Sequence, residues 1–138
     1  QQVDASMLYT SDHGEDIFDD GRHLFLHASP VPSYYQLHVP LLLWTSDSYR
    51  EEYPGIEKAA SMNRQKNISS SISFFQTMME LAGIETPYRN DSLSVTSPLY
   101  TEKSRVYLND HNEPRPLDDI GMRKEDFEML KKRGIDAQ

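Results

Sequence analysis

The residues able to do chemistry cluster early in the chain. Ser11-Asp12-His13-Gly14-Glu15 sets a carboxylate beside an imidazole, directly after the apolar stretch Ser6-Met7-Leu8-Tyr9-Thr10. Successive side chains on a strand point to opposite faces, but where a strand ends the backbone turns and neighbours can converge on one ion. Carboxylate oxygen and imidazole nitrogen form an ordinary zinc donor set. Gly14 lets such a turn close without a Cβ in the way. Reactive groups of open α/β sheets gather at the carboxyl ends of strands, where this pair falls. A hydrogen-bonded turn would use the same two residues, so the doublet needs company to mean more. His27 follows fourteen positions after His13, across an acidic loop, and His38 sits in Gln36-Leu37-His38-Val39-Pro40 before a second apolar segment. Four of the five histidines fall between positions 13 and 38. An N/O-ligated metal site would need such clustering, because the chain has no cysteine to offer sulfur.

Composition narrows the alternatives. The 138 residues allow one domain at most and a modest core. The absence of cysteine removes disulfides, thiolate metal sites and a Cys nucleophile, and leaves the compartment open. A net charge of −8 argues against a nucleic-acid partner, since phosphate binding wants a basic face. No stretch approaches the ~18 apolar residues of a spanning helix. The chain opens without Met and reaches a strand-like segment at once, which suggests a piece of a longer protein.

Several elements must position these residues. Segment 6–10 reads as a buried strand and 11–14 as a polar turn. Segment 39–44, apolar without alternation, reads as a strand buried on both faces, with Pro40 at its start. Thr45-Ser46-Asp47 opens a short helix that Pro54-Gly55 would break, and 56–66 is helix-compatible. A helix capped within 67–70 puts Ile72, Phe75, Met79 and Leu81 on one face and stops at Gly83. Segment 105–108 reads as a third strand, and 123–133 as a terminal helix carrying Phe127 and Leu130 and ending at Gly134. Strands alternating with helices give an α/β class, though three strands are few for a complete doubly wound sheet. Trp44, Phe74 and Phe75 are expected in the core, as are Tyr34 and Tyr35 unless they line an acceptor groove. Glu15 either orients His13 or is a solvated loop carboxylate. His23 reads as an exposed loop residue, and a hydrogen-bonding turn accounts for His111.

The ordered set Ser11-Asp12-His13-Gly14-Glu15, Leu26-His27, Gln36-Leu37-His38-Val39-Pro40, the strand ending in Trp44, and the helix from Ser73 to Ile84 resembles the phosphoethanolamine transferases that modify lipid A and core lipopolysaccharide. These are sulfatase-like members of the alkaline phosphatase superfamily. The resemblance implies that 1–138 is the C-terminal portion of a sulfatase-like catalytic domain, α/β, a part of an alkaline-phosphatase-like sheet flanked by helices. It implies Asp12 and His13 as zinc ligands, and His27 and His38 as catalytic histidines, His27 facing the phosphate or a second zinc. The family's Thr nucleophile and a further Glu ligand would precede Gln1. One or two zinc ions, a phospholipid donor, a lipid-sugar acceptor, membrane contact through a preceding segment, and the periplasmic face of the bacterial inner membrane follow from the same resemblance. The loop before Leu26-His27 is longer than the family's by about two residues, which leaves His23 and His27 as rival matches. A sulfatase or phosphodiesterase of the same superfamily, or a non-catalytic α/β module, are the alternative readings. With two protein ligands and no nucleophile, the 138 residues alone are expected to bind zinc weakly and to turn nothing over.

Overall fold

The computed structural model describes residues 3–27, 30–109, 111 and 113–135. In chain order the elements are β1 (Ser6–Thr10), β2 (Asp16–Ile17), β3 (Phe25–Leu26), α1 (Tyr34–Leu37), β4 (Leu41–Thr45), α2 (Asp47–Glu52), α3 (Pro54–Asn63), α4 (Ser70–Leu81), β5 (Val106–Leu108), β6 (Pro114–Pro116) and α5 (Lys124–Lys132). The α/β alternation expected from the sequence is present. The described strands form three antiparallel pairs, β1 with β4, β2 with β3 and β5 with β6. Among the described residues no helix is long and apolar enough to cross a membrane.

The chain divides into two compact units, Gln1–Thr10 with Leu41–Lys103, and Ser11–Pro40 with Ser104–Gln138. In the first, Ser46 caps α2 by accepting from the Tyr49 backbone N–H, as the Thr-Ser-Asp sequence predicts. Pro54 does not merely break that helix. It occupies the first turn of α3, where its missing N–H costs nothing. Helix α4 packs on β1 and ends at Gly83, whose φ of +64° favours glycine. Its buried side is Ser73, Thr77, Met79 and Leu81, so the face is rotated from the expected one and Phe75 is 59% exposed. Thr77 makes that side tolerable by donating to the Ser73 carbonyl at 2.8 Å and accepting from the Val95 N–H at 3.0 Å. Asn63, equally buried, donates to the carbonyls of Val95 and Ser97.

Both long strands depart from the burial expected of them. Exposure alternates along β1 and β4, and the outward set includes Trp44, which lies outside the core. In the second unit the core is Tyr34, Leu117, Met122 and Leu130, with Tyr35, Leu37, Ile120, Phe127 and Met129 packed around it. Phe127 and Leu130 thus place α5 as its periodicity suggests. Ala28, Asp110 and Asn112, which fall in the loops around His27 and His111, lie outside the described residues.

Candidate metal centre

The centre is built within the second unit, from the turn that follows β1. The Ser11 hydroxyl donates to the His13 carbonyl at 2.7 Å, and the His13 N–H donates to Asp12 Oδ1 at 3.1 Å. The Gly14 N–H donates to the Gln36 carbonyl at 2.8 Å. A Cβ on Gly14 would sit 1.9 Å from the Tyr35 carbonyl oxygen. Glycine is therefore needed here for close approach to α1 rather than for the turn itself. Asp16, buried, accepts from the Ser33 hydroxyl at 2.6 Å and from the Gln36 side-chain amide. Ser33 is also the N-cap of α1. Gln36 thereby holds the turn through its carbonyl and Asp16 through its side chain.

The hairpin then brings the distant histidine back. Strands β2 and β3 pair Asp16 with Leu26 and Ile17 with Phe25. One step beyond the Asp16–Leu26 pair, Glu15 and His27 face each other, and directly opposed side chains in such ladders lie within reach. His27 Nδ1 and Glu15 Oε1 are 2.5 Å apart. Arg22 fixes the far end of the loop. It binds Asp20 and makes a two-pronged bond to Asp126, at 2.8 and 2.9 Å. Asp126, fully buried, also accepts from the Tyr34 N–H at 2.9 Å. The hydrogen bonds it donates to Asp20 and then to Asp126 keep the Arg22 guanidinium firmly charged. In return Arg22 holds the Asp20 carboxyl below its usual range.

His13, Glu15 and His27 form the one group of three potential metal donors among the described residues, with ligand atoms within 4.8 Å of one another. The two imidazole rings are 4.0 Å apart, centre to centre. All three side chains are between 40% and 46% exposed, so the group opens to solvent. Their tautomers follow from their partners. His13 Nδ1 lies 2.9 Å from the Gly14 carbonyl, and carbonyls and carboxylates only accept. Each ring thus carries its proton on Nδ1 and presents Nε2 as a lone pair. The His13 Nε2 points near Asp12 Oδ2, 3.8 Å away. Backbone donation from His13, then from its own N–H, holds the Asp12 carboxyl below its ordinary value. A lone pair beside an ionised carboxylate is a place for a cation. Two imidazole nitrogens with carboxylate oxygens suit zinc, whose tetrahedral ligands sit roughly 3.3 Å apart at bond lengths of ~2.0–2.2 Å. The residues present fit the metal.

The other candidates are placed elsewhere. His38 closes α1, its N–H donating to the Tyr34 carbonyl; its ring stacks on Tyr34 at 5.0 Å, with Nδ1 2.7 Å from the Tyr34 hydroxyl. Burial of the ring, then Arg133 and Arg105, lower its pKa and favour the neutral form. His38 and His23 are not part of the donor group. His23 has φ +54° and its ring is 6.4 Å from that of Phe18. The His111 N–H donates to Asn109 Oδ1 at 3.0 Å, the hydrogen-bonding turn expected for it. Glu15 is the donor that the sequence left ambiguous. Its pairing with His27 follows from the β2–β3 register, which counting outward from the Asp20-Gly21 turn would miss by one residue.

Compared with known proteins, residues 1–84 match the family model for sulfatases, and the chain belongs to the sulfatase family. It is similar to the phosphoethanolamine transferase EptA of Salmonella typhimurium, 32% identical over 97 residues that make up 68% of this chain and 17% of that protein. Its α/β fold matches the crystal structure of the C-terminal periplasmic domain of EcEptC from Escherichia coli, with a TM-score of 0.63 at 26% identity over 73% of this chain and 28% of that one. A second crystal structure of that domain, in complex with Zn, aligns with a TM-score of 0.61 at 23% identity over 88% of this chain and 33% of that one. The chain thus spans less than a fifth of EptA and at most a third of the solved domain.

Proposed function

We propose that residues 1–138 are the metal-ligating C-terminal portion of a zinc-dependent phosphoethanolamine transferase. It would act at the periplasmic face of the bacterial inner membrane and move phosphoethanolamine from a phospholipid to a lipopolysaccharide-type acceptor. The observation that carries this reading is the meeting of His13, Glu15 and His27 beside an ionised Asp12, inside the stretch matched to the sulfatase family. Asp12 and His13 would hold zinc, with Glu15 either completing the donor set or fixing His27 through its Nδ1–H. Bound there, zinc supplies Lewis-acid activation of a hydroxyl and neutralises phosphoryl charge.

The chain's own residues then orient and move protons. A threonine hydroxyl from a preceding segment attacks phosphorus; the Oγ–P bond forms as the bond from phosphorus to the diacylglycerol oxygen breaks. Glu15 holds His27 through its Nδ1–H, which leaves Nε2 to take the proton of the attacking hydroxyl; the imidazolium so formed can then donate to a phosphoryl oxygen or protonate the departing one. His38, kept neutral, is a base available to take a proton, with Tyr34 holding its ring. The acceptor's oxygen then displaces threonine from phosphorus. Asp12→Ala in the full-length protein should abolish zinc-dependent transfer of phosphoethanolamine while the protein stays folded. Undiminished transfer in that variant would overturn the reading. Hydrolysis of a sulfate ester in place of transfer would reassign the protein to sulfatase chemistry.

A further inference from the structure

The β2–β3 hairpin that joins Glu15 to His27 has little of its own to keep its shape. Its ladder is two residue pairs long, and two strands alone are marginal as a sheet. Its apolar side chains do not pack it down: Ile17, Phe18, Phe25 and Leu26 are 65%, 58%, 60% and 53% exposed. Phe18, His23 and Leu26 have φ of +63°, +54° and +69°. That is left-handed backbone, which residues other than glycine keep only where their surroundings impose it. The surroundings here are polar. Asp16 ties the base of the hairpin to α1, and Arg22 ties its far end to α5.

Asp126 is where these ties meet. Its side chain lies in the first turn of α5 and is wholly buried. Oδ2 accepts from Arg22 Nη1 at 2.8 Å, while Oδ1 accepts from Arg22 Nη2 and from the Tyr34 N–H, each at 2.9 Å. The Tyr34 amide opens α1, the helix whose Gln36 carbonyl receives the Gly14 N–H between His13 and Glu15. One carboxylate therefore holds both the loop of the hairpin and the helix against which the donor residues are set. It stands 104 positions from Arg22 in the chain, beyond the residues 1–84 that match the sulfatase model, so that match gives it no role. We propose that Asp126 is a positioning residue for the metal centre, acting through Arg22 on the Glu15–His27 pair and through Tyr34 on the turn that carries His13. The inference rests on reading that centre as a zinc site.

Asp126→Asn in the full-length protein is the test. The amide keeps the volume of the side chain but turns one accepting oxygen into a donor that meets N–H groups. Zinc affinity, measured by chelator competition without denaturant, should fall at least tenfold, within the roughly 10–100-fold effect of groups that orient metal ligands. Trypsin should cut the metal-free variant after Arg22 at least tenfold faster than wild type, the cut being located by mass spectrometry. Arg22→Gln should lower zinc affinity in the same way, and adding it to Asp126→Asn should cost little more, since both break one link. It serves by itself should circular dichroism show Asp126→Asn unfolded. Thr77→Val removes buried hydrogen bonds in the other compact unit. It should lower the urea midpoint and leave zinc affinity at the wild-type value, which separates positioning from lost stability. Wild-type zinc affinity in folded Asp126→Asn, whether or not trypsin cuts faster, would overturn the proposal, as would an equal loss of affinity in Thr77→Val. A wild-type protein that binds no zinc would overturn the zinc reading itself, and the proposal with it.

Discussion

Gly14→Ala should damage the candidate centre although alanine carries no reactive group. The added Cβ would lie 1.9 Å from the Tyr35 carbonyl oxygen, with the Tyr35 carbonyl carbon at 3.0 Å and the Gln36 Cα at 3.2 Å. These are backbone atoms and cannot rotate away. Reaching an ordinary contact of ~3.4 Å requires the turn or α1 to retreat by roughly 1.5 Å. Such overpacking costs about 1–3 kcal/mol. The retreat also breaks the Gly14 N–H to Gln36 hydrogen bond, with a net loss of about 1 kcal/mol. The sum is about 2–4 kcal/mol, read as a lower urea midpoint. Because His13 and Glu15 flank Gly14, zinc affinity measured by chelator competition should fall at least tenfold. Gly21→Ala is the matched control. A Cβ there meets nothing within 4 Å, so the change should stay within about 0.5 kcal/mol. A Gly14→Ala protein with the wild-type midpoint and zinc affinity would refute the close approach of the turn to α1.

Two further outcomes follow from buried and titrating groups. Asp126→Ala removes the fully buried acceptor shared by Arg22 and the Tyr34 N–H. Arg22 keeps Asp20, so the cost should be about 2–3 kcal/mol rather than the full loss of a buried pair, measured as a urea midpoint. The depressed pKa of His38 gives the second. The unfolded chain takes up the proton first, so the His38 contribution to stability is whole above its ordinary value near 6.5 and is lost as pH falls through the lower folded value. His38→Gln should flatten the fall in urea midpoint between about pH 7 and pH 5. An unchanged slope in that variant would remove His38 as its source.

Local chemistry in the sequence forecast much of what forms. Ser46 before Asp47 caps a helix because its hydroxyl can accept from the Tyr49 N–H, and Gly83 ends one because its backbone can turn left-handed. His13 and His27 stand out as candidate donors from residue type and order alone, and so does Asp12, which the donor group does not include. Three features were not legible. The role of Glu15 depends on a two-residue ladder too short to show alternation. The rotation of α4, which buries Thr77 and exposes Phe75, depends on hydrogen bonds to Val95 that no periodicity encodes. The exposure of Trp44 departs from the burial on both faces that the apolar run 39–44 leads one to expect, since residue type records how apolar a strand is and not what covers it.

The ladder that opposes Glu15 to His27 also sets a rule of parity. Slipping one strand of this pair past the other by a single place would turn its side chain to the opposite side of the hairpin. The carboxylate would then hydrogen-bond to nothing, and the imidazole would leave its neighbour. A loop between them can change length so long as the added residues stay outside the ladder, so the arm can grow while the grip at its base is kept.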